Sequence, residues 1–495
     1  MSNVFKNLSS NLFLYVAKLG IGILTLPICL KAFGPDTYGL FLLAFGLSSS
    51  FTAFDFGASK SAMRFSVEFL EDKETIKFSR ALSTSITLSV LAAICISLIF
   101  LGMGFYGKQL FQLTGNTATI CLPVFLLAAA NSFFLVIGAV PQQLLQANNF
   151  FSLRNNWQYI CQALNLIALI ALWRCGINDV ILYSIAIVFI SIISLLIDIT
   201  LISRKMILVG TKLQFKIERK RTSVSQYSFR AFLHAIISFL AVQADKLIIG
   251  TVLNVGAVTT YSIITKPYYL LRGMTGTGYA VFQPTLTALQ FNSDKSTYLN
   301  YSSKIIRTTF IVVMSICCVA GICFEQGLTI WLKTSQYNEM ATWGIISLVS
   351  VCLTMLYTPF YRTMLYTSSL QTILNFSMLV VPINVVISIL LTRAYGFYGV
   401  IIGTLIQILL ESGFVLFQAR KLFNLKYTNI FTKPFNFRFL SILIIFIIGR
   451  FCIANITTSG LLISTEITLV LTLILISLNT IRKEGLFSQP INNGN

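Results

Sequence analysis

Charged residues are scarce in this chain, and acidic residues are the scarcest. Only 11% of its 495 residues are charged, with 16 Asp and Glu against 36 Lys and Arg, whereas 56% are hydrophobic. So little charge excludes a soluble globular protein, because such a protein needs far more polar surface. The composition predicts an integral membrane protein.

Histidine, the side chain that enzymes use most often for proton transfer, is also nearly absent. His234 is the only histidine, and no serine or carboxylate lies at motif distance from it, so we interpret it as a helix-packing residue rather than part of a triad. No phosphate-binding loop of the form GxxxxGKS/T occurs. The ten cysteines show neither CxxC nor a His-paired metal spacing and are interpreted as small hydrophobic residues. The sequence therefore predicts no catalytic residue, no metal and no cofactor.

Apolar windows of the length that a helix needs to cross a bilayer recur along the whole chain. The alternating ten-residue pattern of an outer-membrane barrel is missing, so the fold is predicted to be all-α. The first window has no small-residue cleavage site after it, and we expect it to be retained as a span. We predict about fourteen spans, at residues 10–32, 38–59, 80–103, 118–144, 156–174, 178–202, 228–252, 258–283, 305–327, 341–365, 371–392, 397–419, 436–456 and 461–481.

The basic residues segregate when the connections between these spans are assigned alternately to two sides. Roughly 25 Lys and Arg then fall on one side, and only 6 on the other, namely Lys31, Lys108, Arg174, Lys333, Arg393 and Arg450. The positive-inside rule therefore predicts that both termini are cytoplasmic. A net charge of +20 would suggest a nucleic-acid partner in a soluble protein, but here its placement reports membrane orientation, and we predict no nucleic acid.

A weak internal repeat divides the chain. The stretch from Gly34 to Tyr38 resembles that from Gly256 to Tyr261, and Asn165 precedes Arg174 as Asn384 precedes Arg393, all at an offset of about 220 residues. Chance matches remain an alternative in so apolar a chain. With the span count, the repeat predicts an N-terminal lobe (1–203), a basic cytoplasmic linker (204–227), a C-terminal lobe (228–420), and two further helices with a tail (421–495). We interpret the basic residues of the linker as a solvated face near anionic lipid rather than as a specific partner site.

The stretch Gln243–Gly276 carries an unusual number of charges for membrane-embedded sequence. A charge at membrane depth costs roughly 2.5–3.5 kcal/mol on insertion scales, so it usually faces a cavity or a partner. The buried cations greatly outnumber nearby acids, which suggests an anionic ligand such as a diphosphate. The predicted binding residues are Lys18, Lys246, Lys266, Arg272, Tyr268 and Tyr269. Arg230 lies near a span end and is expected to reach the interface instead.

Two deep acids, Asp245 and Glu411, are candidates for binding H⁺ or Na⁺ in a coupled cycle, with a structural ion pair as the open alternative. Asp55 and Asp198 fall near cytoplasmic span ends, where we expect interfacial hydration to accommodate them. Tyr261 is expected to be an interfacial belt residue.

Four segments resemble the Wzx-type O-antigen and polysaccharide flippases of the multidrug/oligosaccharidyl-lipid/polysaccharide (MOP) exporter superfamily. They are LPICLKAFGPDTYGLF, FDFGASKSAMRF, ADKLIIGTVLNVGAVTTYSII and RAYGFYGVIIGTLI. This resemblance implies two six-helix lobes in a pseudo-twofold arrangement plus two C-terminal helices. It also implies a non-enzymatic transporter in the bacterial cytoplasmic (inner) membrane, acting in O-antigen and lipopolysaccharide biosynthesis.

The expected substrate from the resemblance is an undecaprenyl-diphosphate-linked oligosaccharide, moved from the cytoplasmic to the periplasmic leaflet. A polysaccharide polymerase and a chain-length regulator are the protein partners that it suggests. The similar lipid II flippase uses cations on its first, second and eighth spans. Lys18, Lys266 and Arg272 fit the first and eighth, whereas the second offers only Arg64, just beyond its end.

Two other functions fit parts of the pattern. A drug or cation exporter of the same superfamily would share the architecture, but it should favour acidic over cationic cavity residues. A membrane polymerase or ligase usually carries a large periplasmic loop with catalytic residues, and every predicted outward loop is short.

The predicted topology can be tested with alkaline phosphatase fusions, since that enzyme needs disulfides that form only outside the cytoplasm. We expect activity when phosphatase is fused after Gln336 and none when it is fused after Ser488. The opposite pattern would invert the assigned orientation.

Overall fold

A computed structural model provides the three-dimensional arrangement. It describes residues 2–59, 61–63, 66, 75–147, 151–208, 223–292, 295–364, 370–423, 437–455, 468–477 and 479–480. All regular secondary structure in these ranges is helical. The predicted all-α fold is thereby confirmed, while most of the predicted linker, residues 209–222, lies outside the described residues.

The chain forms two compact units, Met1–Tyr261 and Ser262–Asn495. The helices of unit 1 are α1 (Ser2–Phe33), α2 (Pro35–Ser50), a 3₁₀ turn (Phe51–Phe54), α3 (Thr75–Leu110), α4 (Gly115–Ala147), α5 (Phe151–Arg174), α6 (Val180–Leu208), α7 (Ser223–Val252) and the first part of α8 (Val255–Ile264). The helices that follow are α9 (Lys266–Asn292), α10 (Lys295–Ile322), α11 (Phe324–Leu332), a 3₁₀ turn (Asn338–Met340), α12 (Ala341–Met364), α13 (Leu370–Tyr395), α14 (Tyr398–Phe423), α15 (Phe437–Asn455) and α16 (Thr468–Ser477).

In unit 1, the first turns of α2 and α8 pack closely. The hydroxyl of Thr259 donates to the carbonyl oxygen of Pro35 at 2.7 Å. A Cβ at Gly39 would collide with the carbonyl group of Val255, so the backbones can approach this closely because Gly39 has no side chain. These two turns are the segments that the sequence repeat matched to each other.

Two predicted spans are interrupted. Helix α2 ends at Ser50, and after the 3₁₀ turn Phe56 and Gly57 both have positive φ. The Asp55 carboxylate is buried and accepts hydrogen bonds from the backbone amides of Gly57 and Ser59 at 3.0 and 2.7 Å. The expectation that hydration accommodates Asp55 is wrong, because its carboxylate instead caps this turn.

The second interruption separates α8 from α9 at Thr265, within the predicted span 258–283. Pro267 is the second residue of α9. Proline lacks a backbone N–H and is tolerated in a first helical turn but not in a helix interior, which favours a new helix start at this point.

In unit 2, α13 and α14 pack through two glycines one turn apart. A Cβ at Gly399 would collide with the backbone of Leu391, and one at Gly403 would collide with the hydroxyl of Ser388. Small residues at this spacing let helix backbones approach closely within a membrane. Helix α15 is joined to α11 by an ion pair between Arg450 and Glu325 at 2.8 Å.

Seven helices of the described part are long and apolar enough to cross a membrane, judged by length and composition. They are Leu82–Leu110, Gly115–Gln146, Val180–Arg204, Thr297–Ile322, Asn338–Tyr361, Asn375–Tyr395 and Tyr398–Leu422. Three shorter helices, Val255–Ile264, Leu440–Arg450 and Thr468–Ser477, are also apolar. The chain is a multi-pass membrane protein, and the count of fourteen spans stays a prediction.

The helices reproduce one part of the sequence repeat. Helix α5 is followed by Gly176 at φ 73°, and α13 is followed by Gly396 at φ 65°. A glycine with positive φ is the usual way to end a helix, and these two are 220 positions apart. The compact units divide after Tyr261, and the lobe boundaries drawn from the repeat stay a prediction.

The close approach of α13 and α14 gives a test. Gly399→Ala should force the two helices apart and lower stability by roughly 1–3 kcal/mol. Gly413→Ala on the same helix is the matched control, because a Cβ there meets no atom within 4 Å. Thermal unfolding of the detergent-solubilised protein should show a lower midpoint for Gly399→Ala alone. Equal midpoints for both variants would contradict the packing.

Candidate functional site

Unit 2 contains a half-buried cation beside tyrosine side chains. Arg272 and Tyr268 lie one turn apart on α9, and the Arg272 guanidinium donates to the Tyr268 hydroxyl at 2.6 Å. The guanidinium carbon also lies 5.8 Å from the centre of the Tyr268 ring, a distance at which a cation is attracted by the aromatic face. Tyr268 is only 3% exposed and packs edge-on against Tyr269. Arg272 is thus held in a fixed position by its own helix.

Three helices of the same unit bring polar side chains to Glu411 on α14. Gln407 donates to Glu411 Oε1 at 2.8 Å, and Tyr357 of α12 donates to Glu411 Oε2 at 3.4 Å. Asn384 of α13 donates to Gln407 at 2.7 Å, and Ser388 donates to Asn384 at 3.2 Å. In this series of hydrogen bonds, the amides of Asn384 and Gln407 both point their NH₂ groups toward the Glu411 carboxylate. Arg272 also interacts electrostatically with Glu411, so two predicted site residues belong to one cluster.

Lys266 is half-buried at the first position of α9, close in sequence to Tyr268 and Tyr269. Four of the predicted residues, Lys266, Tyr268, Tyr269 and Arg272, therefore occupy the first two turns of a single helix.

A second polar chain runs through unit 1. Lys18 of α1 donates to Gln158 of α5 at 3.4 Å, and Gln158 donates to Gln142 of α4 at 3.0 Å. Gln142 in turn donates to Asp198 of α6 at 2.9 Å. Arg154, one turn before Gln158, interacts electrostatically with Asp198. We refer to Lys18, Gln158, Gln142 and Asp198 as the glutamine relay.

Asp198 is only 1% exposed, so the expectation that interfacial hydration accommodates it is wrong. The carboxylate is buried where α4, α5 and α6 pack together, and it accepts a hydrogen bond from the Gln142 side-chain amide.

The side chains of Asp245 and Lys246 lie on different faces of α7, because adjacent residues of a helix point in different directions. The Asp245 carboxylate is buried and accepts a hydrogen bond from the Tyr261 hydroxyl at 2.7 Å. Tyr261 is 2% exposed, so its expected role as a belt residue is wrong. Lys246 is half-buried, and its Nζ lies 3.6 Å from the position that a Cβ of Gly46 would occupy.

Sequence reasoning considered charged residues and overlooked the amides. Gln142, Gln158, Asn384 and Gln407 all lie within helices and carry the hydrogen bonds that reach the two carboxylates. Glutamine and asparagine residues inside the predicted spans could have identified these networks from the sequence, because a polar side chain in hydrocarbon needs a hydrogen-bond partner. Within the described residues, no group of three or more His, Cys, Asp or Glu side chains is placed to hold a metal ion.

Comparison with known proteins identifies the family to which the chain belongs. The family model for polysaccharide biosynthesis protein matches residues 4–290. The uncharacterized membrane protein EpsK of Bacillus subtilis (strain 168) is 20% identical over 416 residues, which cover 82% of this chain and 81% of EpsK.

Solved structures show the same fold. The lipid II flippase MurJ in an inward closed conformation has a TM-score of 0.74 and 16% identity, covering 97% of this chain and 99% of MurJ. An inward-facing multidrug resistance MATE family transporter of the MOP superfamily has a TM-score of 0.59 and 13% identity, covering 83% of this chain and 94% of its own. At these identities the likeness concerns the fold alone.

The contact between Tyr261 and Asp245 gives a test of the site in unit 1. Tyr261→Phe removes a hydrogen bond to a buried carboxylate and should lower stability by roughly 1.5–3 kcal/mol. Tyr395→Phe is the control, because Tyr395 is 61% exposed. The unfolding temperature of the purified protein should fall for Tyr261→Phe only, and an unchanged value would mean that the hydroxyl does not stabilise Asp245.

Proposed function

We propose, from the premise that this chain belongs to the polysaccharide biosynthesis protein family, that it is a flippase for a lipid-linked oligosaccharide. The substrate in this proposal is an undecaprenyl-diphosphate-linked O-antigen or related repeat unit. It moves from the cytoplasmic to the periplasmic leaflet by alternating access. The observation that carries the proposal is the lipid flippase fold, which extends over 97% of the chain.

The physical task of such a protein is to carry a charged, hydroxyl-rich headgroup across hydrocarbon. An ionised group transferred alone into an apolar medium loses its hydration at great cost. A membrane protein lowers this barrier by offering polar partners along the path while the prenyl chain stays in lipid. The family and the fold point to transport rather than catalysis.

The cations described above are suited to a diphosphate. A guanidinium has five N–H donors, so it can bind several phosphate oxygens. Within the described part of the chain, Arg272 donates one hydrogen bond to Tyr268. The ammonium of Lys18 is exposed, and its contact with Gln158 is long at 3.4 Å. Lys246 and Lys266 are further candidates for phosphate oxygens. The half-buried Tyr269 offers an aromatic face to the glycan, and Tyr268 contributes to the site by holding Arg272.

Ion coupling is the second element of the proposal. Glu411 accepts hydrogen bonds on both oxygens and also interacts with Arg272. Asp245 is held by Tyr261. A carboxylate that binds H⁺ or Na⁺ changes its charge, and a change of charge beside a substrate-binding cation alters that cation's affinity for an anion. We assign Glu411 and Asp245 as coupling residues on this ground.

The cellular setting follows from the substrate. We propose a bacterial cytoplasmic membrane with both termini in the cytoplasm. A polymerase and a chain-length regulator would use the unit after it has crossed. These partners belong to the proposed pathway of surface polysaccharide synthesis.

The test is genetic and then chemical. Deletion of the gene should abolish the surface polysaccharide and leave undecaprenyl-linked units in the cytoplasmic leaflet. A plasmid copy in which Lys18, Lys266 and Arg272 are all changed to Gln should fail to restore the polymer. Each charge-assisted hydrogen bond contributes roughly 1.5–3 kcal/mol, equivalent to at least about tenfold in affinity.

The matched control changes three cations on the predicted outward side, Lys31, Lys333 and Arg393, to Gln, and it should restore the polymer. Restoration by the first triple variant would refute the diphosphate assignment. Normal polysaccharide in the deletion strain, together with new sensitivity to cationic dyes, would instead indicate a drug exporter, and Asp245 and Glu411 would become the first residues to change.

A further inference from the structure

The glutamine relay joins a cation to a carboxylate by hydrogen bonds that all run in one direction. A lysine ammonium can only donate, and an ionised carboxylate can only accept. The two ends therefore fix the orientation of both amides between them: Gln158 must accept from Lys18 and donate to Gln142, and Gln142 must donate to Asp198. Hydrogen bonds in such a series polarise one another, so a change of charge at one end is felt at the other.

The ionised form of Asp198 is only partly stabilised by the relay. Its Oδ2 accepts from Gln142, but Oδ1 is buried and has no hydrogen-bond partner among the described residues. A buried carboxylate with an unsatisfied oxygen is costly as an anion, and a proton on that oxygen lowers the cost because a neutral carboxyl is cheaper to bury than a charged one. An ionisable group buried within a membrane-spanning helix usually has a function.

The charges around Asp198 favour the same conclusion. Its electrostatic partners on α5 are Arg154 and the thiol of Cys161, and the relay adds Lys18 from α1. Lys18 and Arg154 also repel each other. With Asp198 ionised, the group of Lys18, Arg154 and Asp198 carries one net positive charge, and with Asp198 protonated it carries two. A diphosphate linked at both ends carries two negative charges, so the protonated group matches it.

We propose that Asp198 is a proton-binding site of unit 1, and that the glutamine relay couples its protonation to the binding of a diphosphate at Lys18. This inference rests on the proposed function, in which Lys18 contacts the diphosphate. Protonation removes the negative end of the relay, which loosens the hold of Gln158 on Lys18 and frees the ammonium for the ligand. Because linkage is reciprocal, the bound anion also favours the proton on Asp198.

The experiment measures protons taken up on binding. The full-length protein in detergent is titrated with a short-chain polyprenyl-diphosphate-linked N-acetylglucosamine by calorimetry, in pairs of buffers with different ionisation enthalpies and from pH 5.5 to 8. Wild type should take up part of one proton within this pH range, most strongly where the free protein leaves Asp198 ionised and the bound protein holds the proton. Its affinity should fall as pH rises, by no more than about tenfold per pH unit, since one proton is linked.

Variants identify the group that takes up the proton. Asp198→Asn should bind the probe with less proton uptake than wild type and with an affinity that changes less with pH, because Glu411 and Asp245 are still present in this variant. Gln142→Met keeps Asp198 but cuts the relay, so its uptake should be reduced, and it serves as a second test if Asp198→Asn does not fold. Asp179→Asn is the matched control, because Asp179 caps the start of the same helix by accepting from the Ile181 amide and asparagine caps equally well. Its proton uptake should equal that of wild type.

The possible failures are distinct. Probe binding by wild type without proton uptake, or undiminished uptake by Asp198→Asn or Gln142→Met, would overturn this inference while leaving the flippase proposal intact. Absence of any probe binding by wild type would count against the proposed function itself and would remove the ligand on which the inference depends.

Discussion

A polar group inside a bilayer has no water to bond with, so its partners must come from the protein itself. This constraint explains the form of both carboxylate clusters. Asp198 and Glu411 each receive an amide NH₂ group, and each amide is in turn satisfied by a second amide on a neighbouring helix. Such chains fix the rotation of several helices at once, because a helix turned away from its partner would leave an amide unpaired in hydrocarbon. The polar residues thus specify the packing as well as the chemistry.

Close backbone approach is the second requirement, and glycine meets it. The hydrogen bond from Thr259 to Pro35 depends on the absence of a side chain at Gly39. The bond between Ser388 and Asn384 lies where Gly403 leaves room beside α14. In membranes the hydrophobic effect gives little drive for helices to associate, so close packing and hydrogen bonds supply most of it. Small residues and polar chains therefore occur together in both units.

The helical fold and the position of two cations on α9 could be predicted from the sequence, because they depend on local composition. The helix breaks at Asp55 and Thr265 could not, since apolar windows run through both. The burial of Asp198 and Tyr261 also escaped prediction: each lies near a predicted span end, and only the packing of neighbouring helices decides whether such a residue meets water. Gln407 lies one helical turn from Glu411 on α14, so that pair follows helical spacing. Tyr357 and Arg272, by contrast, come from α12 and α9, and no spacing rule connects them to Glu411.

The two units share a chain of amides ending on a carboxylate, but they differ at the donor end. In unit 1 the chain begins at the Lys18 ammonium, so the cation and the carboxylate are joined through hydrogen bonds. In unit 2 it begins at the neutral Ser388, and the cation Arg272 is held by Tyr268 and acts on Glu411 through space. A proton on Asp198 would therefore release its cation, whereas an ion on Glu411 would strengthen the field of a cation that stays fixed. Under the proposed mechanism the two units would therefore respond differently to the same substrate.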